Sequence, residues 1–80
     1  MTKDISRLNL KRVHGHHYQL LDGDVVIGEL NPVVYGAHDH PTGQFAYTLF
    51  NADGTTVMNW NAGRTPRDAG IKLAHKAGYK

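Results

Sequence analysis

Cysteine is absent from this 80-residue chain. No disulfide can brace it, and neither a thiol nucleophile nor a thiolate metal ligand is at hand. Serine occurs once, as Ser6, so hydroxyl nucleophile chemistry has little to build on. No apolar run approaches the roughly 20 residues that cross a bilayer. The opening Met1-Thr2-Lys3-Asp4-Ile5 has no apolar signal core. A cytoplasmic protein with no membrane partner is the expectation. Domains of this length bury only about 60% of the surface that the unfolded chain exposes, which leaves little chain for both a core and a deep catalytic cleft. The expectation is therefore a non-enzymatic single domain over residues 1–80, without a cofactor and with residues 1–6 as an N-terminal tail. Hydrophobic residues make up 40% and charged residues 20%, values of a folded rather than a disordered chain.

Lys and Arg are also missing, from residue 13 through residue 63. The net charge of +2 hides this gap. Residues 1–12 carry Lys3, Arg7, Lys11 and Arg12 against Asp4, a net +3. The middle holds Asp22, Asp24, Glu29, Asp39 and Asp53, a net −5, together with five of the six histidines. Residues 64–80 hold Arg64, Arg67, Lys72, Lys76 and Lys80 against Asp68, a net +4. Such segregation predicts a charge dipole, with a basic strand-and-helix side and an acidic hairpin side.

What is present reads as an α+β domain. Its expected form is a small antiparallel β-meander of three to four strands with one C-terminal helix packed on one face. Asp22-Gly23 and Asp53-Gly54 each separate two β-rich runs, the strongest short-range signal for a hairpin. With two-residue turns, Leu20 faces Val25 and Tyr18 faces Ile27, while Leu49 faces Met58 and Tyr47 faces Trp60. A bulged turn over Asn51–Gly54 is the alternative and shifts the second register. The alternation in Arg7-Leu8-Asn9-Leu10-Lys11 marks a first strand. Residues 31–43, with Pro32 and Pro41, read as the one long connection. Thr65-Pro66-Arg67-Asp68 reads as an N-cap, a first-turn proline and an acid in a capping-box arrangement, with Gly78 as the stop. At helical spacing Ala69, Gly70, Leu73, Ala74 and Ala77 form the sheet-facing side. Gly70 costs about 1 kcal/mol against Ala, so close packing is expected there.

Several constellations carry possible chemistry. His14-Gly15-His16-His17 and His38-Asp39-His40 have the composition of a metal site, but strand geometry splits His14 and His16 from His17, and no helical ligand spacing exists. They are read as exposed histidines with no bound metal, able to neutralise the acidic middle as pH falls through about 6. Asp22 and Asp24 sit at a hairpin tip, where nothing raises either pKa for acid–base work. Arg64 and Arg67 flank a helix N-terminus where an anion finds free amides; a plain helix entry with two solvated arginines is the favoured reading. Phe45, Tyr47, Leu49, Met58 and Trp60 fall on one face of the second hairpin by period two. They read as the core face under the helix, with a base-stacking or docking platform as the competing assignment.

Two functions follow. The first is a protein-binding, inhibitory or accessory module whose partner is another protein or a second copy. Such a module acts through the uncovered sheet face and the acidic, histidine-bearing residues Asp22, Asp24, His38, Asp39 and His40, joined by the aromatic face of Phe45, Tyr47 and Trp60 only if the helix leaves that face bare. The alternative is a nucleic-acid-binding module using Arg7, Lys11, Arg12, Arg64, Arg67, Lys72 and Lys76. The protein-binding reading accounts for the acidic middle and is preferred.

Overall fold

The computed structural model describes residues 3–35 and 40–80, the side chains of residues 35, 40 and 41 excepted. A 3-10 turn (Ile5–Arg7) leads into five strands: β1 (Leu8–His14), β2 (His17–Asp22), β3 (Val25–Tyr35), β4 (His40–Phe50) and β5 (Thr56–Gly63). They form one antiparallel sheet in chain order, and α1 (Pro66–Lys76) closes the fold. The α+β architecture is as the sequence implies, with five strands in place of three to four.

The additional strand length comes from residues 31–35 and 40–43, expected as a connection. Proline lacks the N–H of a ladder and normally marks an edge or bulge. Both prolines have such a place. Pairing with β2 stops at Leu30 and pairing with β5 stops at Phe45, so beyond these points β3 and β4 form a two-stranded ribbon whose outer edges pair with no other described strand. Pro32 pairs with Phe45 at a register break, and Pro41 pairs with Val34.

Both Asp-Gly signals mark turns, with Gly23 at φ 62° and Gly54 at φ 89°. The registers differ from those expected. Asp22 pairs with Val25, and the next pairs are Leu21–Val26 and Leu20–Gly28, so Ile27 is an extra residue in a bulge. In the second hairpin the bulged alternative is realised. The Asn51 amide donates to the Thr55 carbonyl (2.8 Å) and the Gly54 amide to the Asn51 carbonyl (3.1 Å). Phe50 then faces Thr56, Leu49 faces Val57, Thr48 faces Met58 and Tyr47 faces Asn59. A one-residue slip sends every side chain of a strand to the opposite face. It therefore divides the expected aromatic stripe: Phe45, Tyr47 and Leu49 pack into the core, whereas Met58 and Trp60 stand outside.

The helix follows its sequence signals. Thr65 Oγ1 accepts from the Asp68 amide (3.1 Å), and Pro66 opens the first turn. Ala77 is the C-cap and Gly78 lies one residue beyond, at φ 95°. The Tyr79 amide donates to the Ala74 carbonyl (2.9 Å) and the Gly78 amide to the His75 carbonyl (3.0 Å), the paired bonds of a Schellman stop. Ala69, Gly70, Leu73 and Ala74 are buried against the sheet. Leu73 and Leu30 are completely buried and meet Leu20, Tyr47, Leu49, Ala62 and Tyr79 in one core.

The close approach of helix and sheet is made at Gly28. A Cβ there would overlap Leu73 Cδ1 and lie 2.5 Å from the Thr48 carbonyl oxygen. At Gly70, the position expected to be tight, the nearest atom to a Cβ is Leu30 Cδ1 at 3.4 Å, an ordinary contact.

Residues 3–6, expected as a tail, are tied to the other end of the chain. Ile5 donates its amide to the Lys80 carbonyl (2.9 Å) and Lys80 donates to the Lys3 carbonyl (3.0 Å). Lys3 Nζ donates to the Ala77 carbonyl (3.0 Å) and lies 5.3 Å from the Tyr79 ring centre. Asp4 caps the 3-10 turn by accepting from the Ser6 amide and hydroxyl, which holds its carboxyl below the usual range.

Candidate binding surface

α1 lies across β3, β4 and β5 on one side of the sheet. The opposite side is uncovered by any described element, and antiparallel pairing sets what it displays. Lys11, Gln19, Glu29, Thr48 and Met58 are direct cross-strand partners in one row across all five strands. Trp60, next to the core-side Asn59, projects on this side and is 64% exposed; Met58 is 50% exposed. Phe50 also alternates onto it and is exposed. Trp60 is the chain's single tryptophan. The patch is apolar toward β5 and polar toward β1, and the row's two charges, Lys11 and Glu29, cancel.

At the β1–β2 end of the same side, His14 and His17 approach with ring centres 4.7 Å apart. His17 Nδ1 donates to Asn31 Oδ1 (2.6 Å), so one ring nitrogen is committed to an amide. His16 is in the turn. No group of three or more His, Cys, Asp or Glu side chains converges among the described residues. His38 and Asp39 lie outside the described residues, and of His40 only the backbone, the first residue of β4, is described.

Of the acidic and histidine residues named from sequence, Asp22 and Asp24 lie at the start of β3, whereas the backbone of His40 pairs with Tyr35 at its far end, a strand of 11 residues away, or roughly 35 Å. Asp22 is moreover engaged. It accepts from Tyr79 Oη (2.6 Å) and faces Arg7 Nη2 at 3.6 Å. That bond, followed by burial, pushes the Tyr79 hydroxyl pKa up. Asp24 is exposed at the tip. Asp53 is held below the usual carboxylate range by the Thr55 hydroxyl and amide, which order its turn.

The basic residues divide as well. Lys11 belongs to the uncovered sheet side. Arg12 Nε donates to the Gly15 carbonyl (2.7 Å) and fastens the β1–β2 turn. Arg64 and Arg67 are exposed at the entry to α1, where Thr65 and Asp68 make an ordinary cap. Lys72 and Lys76 are exposed on α1. The cations concentrate on the helix side and leave the aromatic side nearly neutral. Tyr79, which links the helix stop to Asp22, was missed from sequence. A lone aromatic after a C-cap glycine announces its burial only weakly.

Comparison with family models, curated proteins and solved structures returns no match for this chain.

Proposed function

We propose that the chain is a small non-enzymatic module, inhibitory or accessory in kind, that binds another protein through the uncovered side of its sheet. One observation carries this reading: the bulged β4–β5 register places Trp60 and Met58, two large apolar side chains, outside on that face. A chain this small has few large apolar residues, and those left in water are available for contact rather than for the core. Tryptophan and methionine are enriched at protein interfaces, and tryptophan is prominent among the residues that dominate binding energy.

Charge favours a protein over a nucleic acid at this face. A base-stacking platform works with a cationic track that follows the phosphates. Here the aromatic side shows Lys11 opposed by Glu29 in the same row, and Arg67, Lys72 and Lys76 belong to the helix that covers the other face. Gln19, Thr48 and Glu29 supply polar contacts beside the apolar end, the composition of a rim around an interface core.

The test is recovery of partners from the source cell with the tagged wild-type chain and with Trp60→Asp. Trp60 is exposed, so the variant keeps the fold, which circular dichroism verifies. A protein retained by the wild type and lost by the variant supports the assignment. Equal recovery by both, or sedimentation showing that the sheet face pairs only two copies of this chain, overturns it. Binding of generic duplex or single-stranded nucleic acid at 50 mM salt, lost steeply as salt rises, restores the nucleic-acid alternative; about 50 mM is the regime where phosphate contacts are strong.

A further inference from the structure

Regular strand alternation separates His14 from His17, but an irregularity at the end of the first hairpin brings them together. The register shifts between Arg12 and His14, so His14 pairs directly with His17 across the β1–β2 turn. Their ring centres stand 4.7 Å apart. Arg12 holds the turn at this spacing, its Nε donating to the Gly15 carbonyl. A pocket of about 160 Å³ opens beside the two rings, and Gln19, Glu29 and Asn31 bring side-chain oxygens to it. Glu29 is the one formal charge among its described lining residues. Lys11, which pairs with Gln19, is not among them.

The hydrogen bond from His17 Nδ1 to Asn31 Oδ1 (2.6 Å) fixes the tautomer of that ring. The proton is on Nδ1, and Nε2 keeps a lone pair, the arrangement by which an outer carbonyl orients a ligating histidine. His14 is exposed, so its ring turns toward that lone pair without disturbing the core. The spacing suits two ligands of one ion. With metal–nitrogen bonds of about 2.1 Å, each ring centre stands about 3.2 Å from the ion, and centres 4.7 Å apart subtend an angle of about 95°. That is the angle between neighbouring positions of a tetragonal or octahedral ion; tetrahedral ligation needs centres about 5.2 Å apart.

We infer that His14 and His17 form a binding site for a divalent transition-metal ion of tetragonal or octahedral preference, Ni²⁺ or Cu²⁺. The two imidazoles are its protein ligands. No third His, Cys, Asp or Glu converges on them among the described residues, so water fills the other positions. Glu29 offsets the charge of the ion from the wall of the same pocket. The bound ion fastens β1, an edge strand whose residues beyond Leu8 are all exposed, to β2. The site lies at the opposite edge of the sheet from Trp60 and does not depend on the sheet-face assignment.

The probe is nickel chloride, titrated into the full 80-residue chain by calorimetry and by amide NMR, in which paramagnetic Ni²⁺ broadens the resonances around it. One ion per chain is expected, with broadening centred on Val13, His14, His17 and Asn31. His14→Gln and His17→Gln should each weaken binding by more than about tenfold, and Asn31→Ala, which removes only the orienting carbonyl, by about tenfold. His14 is exposed, so its variant keeps the fold, which circular dichroism verifies, and it carries the test should His17→Gln unfold. His16→Gln, His38→Gln with His40→Gln, and Trp60→Asp should leave the isotherm unaltered. Nickel should raise the thermal midpoint of the wild type and not that of His14→Gln. Excess magnesium should not displace it, because a hard ion seeks oxygen ligands. No binding up to about 1 mM nickel overturns the inference. So does binding that survives His14→Gln, that is lost equally with His16, His38 or His40, or that magnesium displaces.

Discussion

Gly28→Ala should be among the most damaging single-methyl additions in this chain. A Cβ at residue 28 would overlap Leu73 Cδ1, come within 3.1 Å of Leu73 Cδ2 and lie 2.5 Å from the Thr48 carbonyl oxygen. Comfortable carbon–carbon separations are about 3.5–4.0 Å and carbon–oxygen approaches about 3.3 Å, so both neighbours must retreat by close to 1 Å. Leu73 is completely buried, so any rotation of its side chain displaces core neighbours. Thr48 belongs to β4, paired on one side with Glu29 and on the other with Met58, so its carbonyl moves only if the centre of the sheet moves. Overpacking costs about 1–3 kcal/mol, and clashes with a side chain and a backbone together place this case near the upper end, about 3 kcal/mol. The whole domain is held by roughly 4–12 kcal/mol at 0.05–0.15 kcal/mol per residue, so the loss is a large part of the total. Urea unfolding followed by far-UV circular dichroism reads it. A double-mutant cycle locates the cause. Leu73→Ala alone should cost about 2–5 kcal/mol, and in its background Gly28→Ala should cost about 1 kcal/mol less, because only the carbonyl clash remains. A Gly28→Ala variant within about 0.5 kcal/mol of wild type, or strict additivity with Leu73→Ala, would refute the reasoning.

Three other perturbations have definite outcomes. Gly70→Ala places a methyl 3.4 Å from Leu30 Cδ1 at ordinary contact distance, so it should raise stability by about 0.5–1 kcal/mol through helix propensity; a loss in the same urea experiment counts against the spacing of α1 from Leu30. Tyr47→Ala should cost about 3 kcal/mol or more while Trp60→Ala stays within about 0.5 kcal/mol, and thermal melts that rank them the other way contradict the register. Tyr79→Phe removes the bond to Asp22 and should cost about 1.5 kcal/mol at neutral pH. Because the folded-state pKa of Tyr79 is raised, its contribution is complete below the unfolded value near 10 and declines as pH climbs through the folded value; a wild-type-minus-variant difference in urea midpoint that grows with alkalinity would be inconsistent with this bond.

Local signals survived translation into three dimensions better than periodic ones. Thr65, Pro66, Asp68 and Gly78 define both ends of α1 because a cap is decided within four residues of chain. Asp22-Gly23 and Asp53-Gly54 locate two turns for the same reason. They do not set loop length, and here length decides which face carries Trp60. One residue more in the second loop turns Trp60 and Met58 from core to surface, and nothing in a period-two pattern distinguishes the two registers. The irregular pairing between Tyr47–Asn59 and Phe45–Gly63 is equally silent in sequence, although it delivers Ala62 into the core. Pro32 and Pro41 argued against strands in a segment that turned out to be a two-stranded ribbon unpaired with any other described strand, where proline is tolerated. The charge blocks were read correctly as blocks. Their fate depended on long-range contacts: Lys3 and Lys80 are joined by hydrogen bonds between the chain ends, and Asp22 is occupied by a tyrosine 57 residues away.

The placement of Trp60 is the premise of the sheet-face assignment, and because the chain has one tryptophan its fluorescence reports on that residue alone. The measurement is the emission maximum and acrylamide quenching of the native chain, set against the urea-unfolded chain. The expected native spectrum is already red-shifted and readily quenched, changing little on unfolding, because the indole stands in water on the uncovered face. A blue-shifted native emission, shielded from acrylamide and moving to the red only on unfolding, would place Trp60 in the core and contradict both the register and the binding surface built on it.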